Sequence, residues 1–368
     1  MEPIYRVLVI NPGSTSTKVA FFEGEQVVFS KNISHDAQEL ARYKEINDQL
    51  PYRKQMILDI LQENAVAIKD LSAVVGRGGG LMPLEGGVYS INLLLLDHAR
   101  IGANGIRHPA QLGPTLAKEF SDLSQCPAFV VNPPDTDEFQ PVARMTGIKG
   151  IYRSAHLHAL NLKETAIVHA RKLGKSYEDC NFVVCHIGGG ISVSAHLRGK
   201  MIDGNDIVGG EGPMAPTRCG GVPAIKLIRY CYSGLPENDI LDLCMKTGGF
   251  VSHLGTSDAL QVFEQAQHGE TDSRLIWDTM IYQIVKEIGA MAAVLHGRVD
   301  GILLGGGMVK NKSLVTAITD ACGFLAPVTA YPGEFEMEAM AAGAIRALKG
   351  EEPIKEYTGR PVWEAPAV

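Results

Sequence analysis

Residues 6–27, RVLVINPGSTSTKVAFFEGEQV, and residues 181–202, NFVVCHIGGGISVSAHLRGKMI, align without a gap at an offset of 175. Gly13 falls on Gly188 and Gly24 on Gly199. Each block reads as an apolar run, a turn rich in glycine and serine, a second alternating run, a tight polar turn and the start of a third run. That is strand, phosphate-sized turn, strand, turn, strand. The glycines suit turns that need positive φ or close backbone approach. Two such hairpins half a chain apart predict two copies of one α/β domain facing each other.

Working outward, helix and strand signals alternate. Residues 36–64 carry Leu40, Tyr43, Ile46, Leu50, Ile57 and Leu61 at helical spacing. Residues 71–77 and 127–132 read as buried strands, and 109–120 as a helix after Pro109. Residues 156–173 read as a long helix joining the two domains. Further helices are expected at 222–233, 236–247, 256–268, 272–297 and 335–349, with a strand at 299–305 running into three glycines.

Composition bounds the class. The chain has 368 residues, 45% of them apolar, enough for two cores. Its net charge of −7 argues against a nucleic-acid surface. The seven cysteines form no CxxC, which points to free buried thiols in a reducing compartment. No apolar run approaches the ~20 residues of a membrane span. Strand-like residues 5–10 begin almost at once, which leaves no room for a signal peptide. A cytoplasmic protein is expected, with no membrane partner.

Five features carry chemistry. Asn11-Pro12-Gly13-Ser14-Thr15-Ser16-Thr17-Lys18 leads from strand to strand, so it is not a Walker loop, which would open a helix. Its backbone N–H groups can cradle phosphate oxygens, and Asn11 can position a hydrated Mg²⁺. His186-Ile187-Gly188-Gly189-Gly190, with Ser192 beyond, occupies the matching turn of the second copy. Gly305-Gly306-Gly307 follows the strand GILL and precedes a helix, which favours approach of a nucleotide to the helix start. Arg77 and Arg218 each adjoin glycines, in RGGG and TRCGG, and a guanidinium there suits bidentate anion binding. Asp137 and Glu138, with His158 and Glu336, are candidate metal partners. Taken singly, each motif also reads as an ordinary polar turn, a surface arginine or a solvated acidic loop.

Together the segments VLVINPGSTSTK, HIGGGIS and LLGGGMV resemble the three nucleotide-contacting segments of the acetate and butyrate kinase family, within the superfamily of acetate and sugar kinases, Hsp70 and actin. RSAHLHALN at 153–161 and YPGEFE at 331–336 resemble butyrate kinases more closely than acetate kinases. The resemblance implies an α/β fold of two duplicated ribonuclease H-like domains, the actin-like ATPase fold, with an interdomain cleft. Residues 1–152 plus 336–368 would form the first domain and 153–335 the second. It implies ATP/ADP and Mg²⁺ as cofactors, bound through Asn11, Gly13, Ser14, Thr15, Lys18, His186, Gly188, Gly189, Gly190, Gly305, Gly306 and Gly307. Arg77 and Arg218 resemble the arginines that hold the carboxylate and the phosphoryl group. Asn11 and Glu336 resemble the metal-side residues, with Glu338 as an alternative register. Acetate kinases carry a catalytic histidine where this chain has Ile151-Tyr152-Arg153-Ser154, and His158 resembles the second histidine of that segment. Their catalytic aspartate falls at Asn132 or Asp137. A homodimer or higher homo-oligomer is implied.

The expected reaction moves the γ-phosphate of ATP to a short-chain carboxylate. Such an acid, with a pKa near ~4.3, is ionised at neutral pH and needs no general base. Acetate kinases place a valine two residues after the first arginine. Gly79 stands there instead, leaving room for the longer tail of butyrate or isobutyrate. The alternatives are an acetate or propionate kinase, a sugar kinase, and a non-catalytic actin- or Hsp70-like ATPase scaffold.

Overall fold

The computed structural model describes residues 3–366. The chain forms two compact units, one of residues 3–136 with 335–364 and one of residues 137–334.

The first unit is built on a seven-stranded sheet in the order β12-β5-β6-β4-β1-β2-β3. The strands are β1 (Arg6–Pro12), β2 (Ser16–Glu23), β3 (Gln26–Ser34), β4 (Ala73–Gly76), β5 (Val88–Ser90), β6 (Ala128–Val131) and β12 (Ile354–Glu356). β1 runs antiparallel to β2 and parallel to β4. The run Val7-Leu8-Val9-Ile10 is 0% exposed throughout, because helices cover both faces of the sheet. Helices Leu112–Ser124 and Glu336–Leu348 both pack on β1, β4 and β6.

The second unit carries a five-stranded sheet, β11-β10-β7-β8-β9. Its strands are β7 (Asn181–Ile187), β8 (Ile191–Leu197), β9 (Lys200–Gly204), β10 (Gly301–Gly306) and β11 (Val328–Pro332). Alternation splits β7 between two cores. Val183, Cys185 and Ile187 face the helix Thr271–Val294 side with Met280 and Ile284. Phe182 and Val184 face Leu162 and Ala166 of the helix Ala159–Lys172.

The duplication is visible in the topology, since β3-β2-β1-β4-β6 and β9-β8-β7-β10-β11 share one order and one pattern of directions. The gapless alignment slips at the first turn. Residues 13–16 lie between the paired Pro12 and Thr17, whereas only 188–190 lie between Ile187 and Ile191. Gly24 therefore takes the first position of its two-residue turn and Gly199 the second. Both have positive φ, at 61° and 84°.

Three sequence expectations need revision. Residues 36–64 do not form one helix: a short turn of helix at Ala37–Leu40 and a 3₁₀ turn at Ile46–Gln49 precede the helix Leu50–Glu63. The stretch 156–173 does not join the domains. It is the helix Ala159–Lys172 inside the second unit, packed on β7 and β10. Residues 137–152, grouped above with the first domain, pack within the second unit. Phe139 and Ala143 enter its core, and Gln140 N donates to Ile202 O at 3.0 Å.

Among the described residues no helix is long and apolar enough to cross a membrane. All seven cysteines are free thiols. Cys180, Cys185 and Cys322 are buried as expected, but Cys126, Cys219 and Cys244 are half-buried and Cys231 is exposed.

Candidate active site

In the first unit the sheet register assembles a polar cluster. Pairing of β1 with β4 aligns Ile10 with Gly76, so Asn11 and Arg77 emerge side by side. Arg77 N donates to Ile10 O at 2.9 Å. A Cβ on Gly113 would overlap the backbone of Arg77, so the helix Leu112–Ser124 can close on this strand end only with glycine there. The Arg77 guanidinium is almost buried. Its Nη1 donates to Asn132 O at 3.3 Å and its Nη2 lies 4.0 Å from Glu336 Oε1. Burial lowers its pKa, and the carboxylates of Glu336 and Asp135 oppose that shift.

Glu336 opens the last helix and accepts from Asn11 Nδ2 at 3.0 Å, while Glu338 is exposed. Lys18 pairs with Asn11 across the hairpin. Gly13 N donates to Ser16 O at 2.7 Å and closes the turn, leaving Ser14 and Thr15 exposed. Ser14 Oγ lies 3.3 Å from His108 Nε2. His108 Nδ1 accepts from Ala110 N, which places the proton on Nε2. Burial, then the charges of Arg77 and Arg53, lower the pKa of His108, so it is neutral at pH 7.

The two carboxylate candidates separate. Asn132 shapes a turn. Its φ is 38°, its Oδ1 accepts from Gly87 N at 2.7 Å, and its own N donates to Gly87 O. Asp137 accepts from both Nη atoms of Arg144, at 2.5 and 2.7 Å, and from Phe139 N. Its carboxylate is thus taken up in a buried ion pair. Glu138 is likewise held by Lys163 Nζ at 2.8 Å. Of the aspartates here, the one whose charge bears on Arg77, after that of Glu336, is Asp135, which accepts from Asn104 Nδ2 at 2.6 Å. The sequence reading passed over Asp135. In Asp135-Thr136-Asp137 two aspartates two residues apart compete, and the pattern does not distinguish them.

In the second unit His186, next to last in β7, lies opposite Ser192. Its ring stacks on His158 with centroids 4.0 Å apart. His158 Nδ1 lies 2.8 Å from Ser192 Oγ, which fixes the stack. The turn Gly188-Gly189-Gly190 is pinned by Thr217 Oγ1, which donates to Gly189 O at 3.0 Å. Arg218 follows, with its guanidinium against Gly190. Its Nε and Nη1 are buried and make no hydrogen bond. Burial lowers its pKa, opposed by Asp206. Gly305-Gly306-Gly307 closes β10. Gly306 has φ 100°, and a Cβ there would strike the Ile187 backbone. It exchanges backbone hydrogen bonds with Gly333 at 3.0 and 3.1 Å, while Gly307 faces open space.

Among the described residues no group of three His, Cys, Asp or Glu side chains could hold a metal by itself. Glu336 offers one carboxylate, and Asn11, donating through Nδ2, keeps its carboxamide oxygen. That set fits Mg²⁺, which binds through one or two protein oxygens, nucleotide phosphates and water.

The fold is shared with several solved structures. The structure superposes on acetate kinase from Porphyromonas gingivalis with a TM-score of 0.78 at 19% identity, covering 94% of this chain and 100% of that one. Acetate kinase from Entamoeba histolytica gives 0.75 at 17% identity, covering 94% and 100%. A propionate kinase from Francisella tularensis subsp. tularensis SCHU S4 gives 0.69 at 18%, covering 92% and 99%. Residues 153–326 match the sequence model of the acetokinase family. The two-domain α/β fold expected from the sequence is thus the fold of acetate and propionate kinases.

Proposed function

We propose that the protein is a carboxylate kinase of the acetokinase family, transferring the γ-phosphate of ATP to a short-chain acid, with butyrate or isobutyrate preferred over acetate. The observation that carries this reading is Arg218. A guanidinium with two buried nitrogens lacking partners, lying on a glycine turn, is a site prepared for an anion. The family match over residues 153–326, which include Arg218, supports it.

The chemistry follows from charge. The acceptor is already a carboxylate, so no base is required, and the obstacle is repulsion between it and the phosphoryl group. Arg77 would hold the carboxylate and Arg218 the phosphoryl oxygens. The N–H groups of residues 13–16 and 188–190 would line phosphates. Asn11 and Glu336 would hold Mg²⁺, which supplies neutralising charge on the phosphate chain when bound. The His158–His186 stack would keep the second turn in place. Asp135 would balance the Arg77 charge in place of Asp137.

The acyl preference rests on Gly79. A Cβ there would sit 3.5 Å from Ala110 Cβ and Gln111 N, in ordinary contact, so a larger side chain would press on that segment, two residues along the chain from Arg77. At ~0.8 kcal/mol per buried CH₂, the two extra carbons of butyrate favour it over acetate by about fifteenfold. Steady-state kcat/KM for acetate, propionate, butyrate and isobutyrate tests this: butyrate or isobutyrate should lead. A clear lead for acetate or propionate would place the protein with the acids named for its structural neighbours.

A further inference from the structure

Beneath the hairpin of residues 13–16 lies a charge that the reaction outlined above leaves unused. Arg53, in the helix Leu50–Glu63, is 0% exposed. Its Nη2 donates to Gly13 O at 3.0 Å, and its Nη1 donates to Ser16 O at 3.1 Å and Thr17 Oγ1 at 2.8 Å. Its Nε and Nη2 both donate to Gln49 Oε1, at 3.1 and 2.8 Å. Each of these partners is neutral. Among the described residues no carboxylate pairs with this guanidinium.

The surroundings confirm that the charge stays and is not balanced. Burial lowers the Arg53 pKa to about 10, so it remains a cation at neutral pH. His35 shares Thr17 Oγ1 with Arg53, and burial with the Arg53 charge lowers its pKa to about 4. It is therefore neutral. Thr17 Oγ1 accepts from Arg53 and donates to His35 Nε2 at 2.8 Å, leaving His35 Nδ1–H to donate to Tyr52 OH at 3.2 Å. The whole chain orients dipoles around one positive charge.

A buried ion with only neutral partners is costly, and a neutral side chain could fasten the hairpin without that cost. The charge makes sense if an anion arrives from the open side, where Ser14 and Thr15 are exposed. We propose that Arg53 is a positioning residue whose counter-charge is a phosphate group of the nucleotide seated on the 13–16 hairpin. It holds the turn in the shape that presents its N–H groups, and it adds positive potential from below. The inference rests on the proposed reading of that hairpin as a phosphate site.

The test is Gln49→Glu, a nearly isosteric change that gives Arg53 a carboxylate at its existing contact. With its charge already balanced, Arg53 should attract phosphate less. The variant should show a higher melting temperature without ligand and a KM for ATP raised about tenfold in acyl-phosphate formation, with a smaller change in kcat. Arg53→Lys keeps the charge while losing the fork, and should stay within a few-fold of the wild-type KM for ATP. A KM for ATP within twofold of wild type in Gln49→Glu, whatever its melting temperature, would overturn the proposal and leave Arg53 as a fastener only. Failure of the wild-type protein itself to make acyl phosphate would instead remove the functional reading beneath it.

Discussion

A Cβ placed on Gly190 would overlap Nη1 of Arg218, so the second glycine turn and the arginine share one volume. Gly190→Ala should therefore act at a distance from the backbone it changes. The obstructed atoms are the end of a flexible side chain, which can move aside, so the fold should survive. Activity should fall about 10²–10³-fold, as on loss of one electrostatic donor, with the melting temperature within a few degrees of wild type. Activity and thermal unfolding measured on the same preparation check both halves.

The arginines themselves should be indispensable singly. Arg77→Ala and Arg218→Ala should each lower kcat/KM by about 10²–10³. Arg77→Lys should not restore activity, because a lysine lacks the fork that reaches Asn132 O and Glu336 from one buried position. Near-wild-type turnover in both alanine variants would defeat the assignment.

Asp137 should behave oppositely. Its carboxylate and the Arg144 guanidinium are 9% and 3% exposed and bonded twice. Removing one partner of such a pair costs about 3–5 kcal/mol of stability. Asp137→Ala should shift the denaturant midpoint downward while the folded enzyme keeps most of its kcat. Loss of kcat with unchanged stability would return Asp137 to the catalytic role that the sequence suggested.

Gly79→Val should invert acyl preference. Its side chain would press on Ala110 and Gln111. The ratio of kcat/KM for butyrate over acetate should fall by about tenfold or more, read directly by steady-state kinetics.

Acid stability should carry the mark of buried neutral histidines. His35 has its folded pKa lowered from 6.5 to about 4, by burial and then by Arg53. His196, between Tyr177 OH and Ser194 Oγ, is also lowered, by burial and then by Lys163. Between the two values the unfolded chain binds protons that the folded one refuses. The His35 contribution is fully present above about pH 6.5 and is lost as pH falls toward 4, and His196 acts in the same direction. Denaturant titrations across that window should show the decline, and His35→Gln should make it shallower.

Much of this was legible in the sequence, for physical reasons. Strands buried on both faces print themselves as unbroken apolar runs, as at Val7–Ile10, and a duplicated hairpin repeats its glycines. Gly78 and Gly220, in the runs RGGG and TRCGG, have no room for a Cβ, whereas Gly113, which closes on the Arg77 backbone, gave no signal because it lies far from Arg77 in the chain. The slip of one residue at the turn was hidden because Gly24 and Gly199 occupy neighbouring positions of similar turns. Asp137 attracted attention as an acid in the right place, but only packing shows that Arg144 claims it while Asp135 bears on Arg77. Arg53 and His108 gave no signal, because they reach the hairpin from 36 to 94 residues away along the chain. The helix expected over 36–64 failed where Glu45 and Asp48 close a 3₁₀ turn with reciprocal side-chain bonds.

The central claim is that an acid, not water or a hydroxyl, receives the phosphate. Purified protein incubated with ATP, Mg²⁺, butyrate and hydroxylamine should yield butyryl hydroxamate in step with ADP, and none when the acid is omitted. ADP release with free phosphate and no hydroxamate, from any short-chain acid offered, would contradict the account.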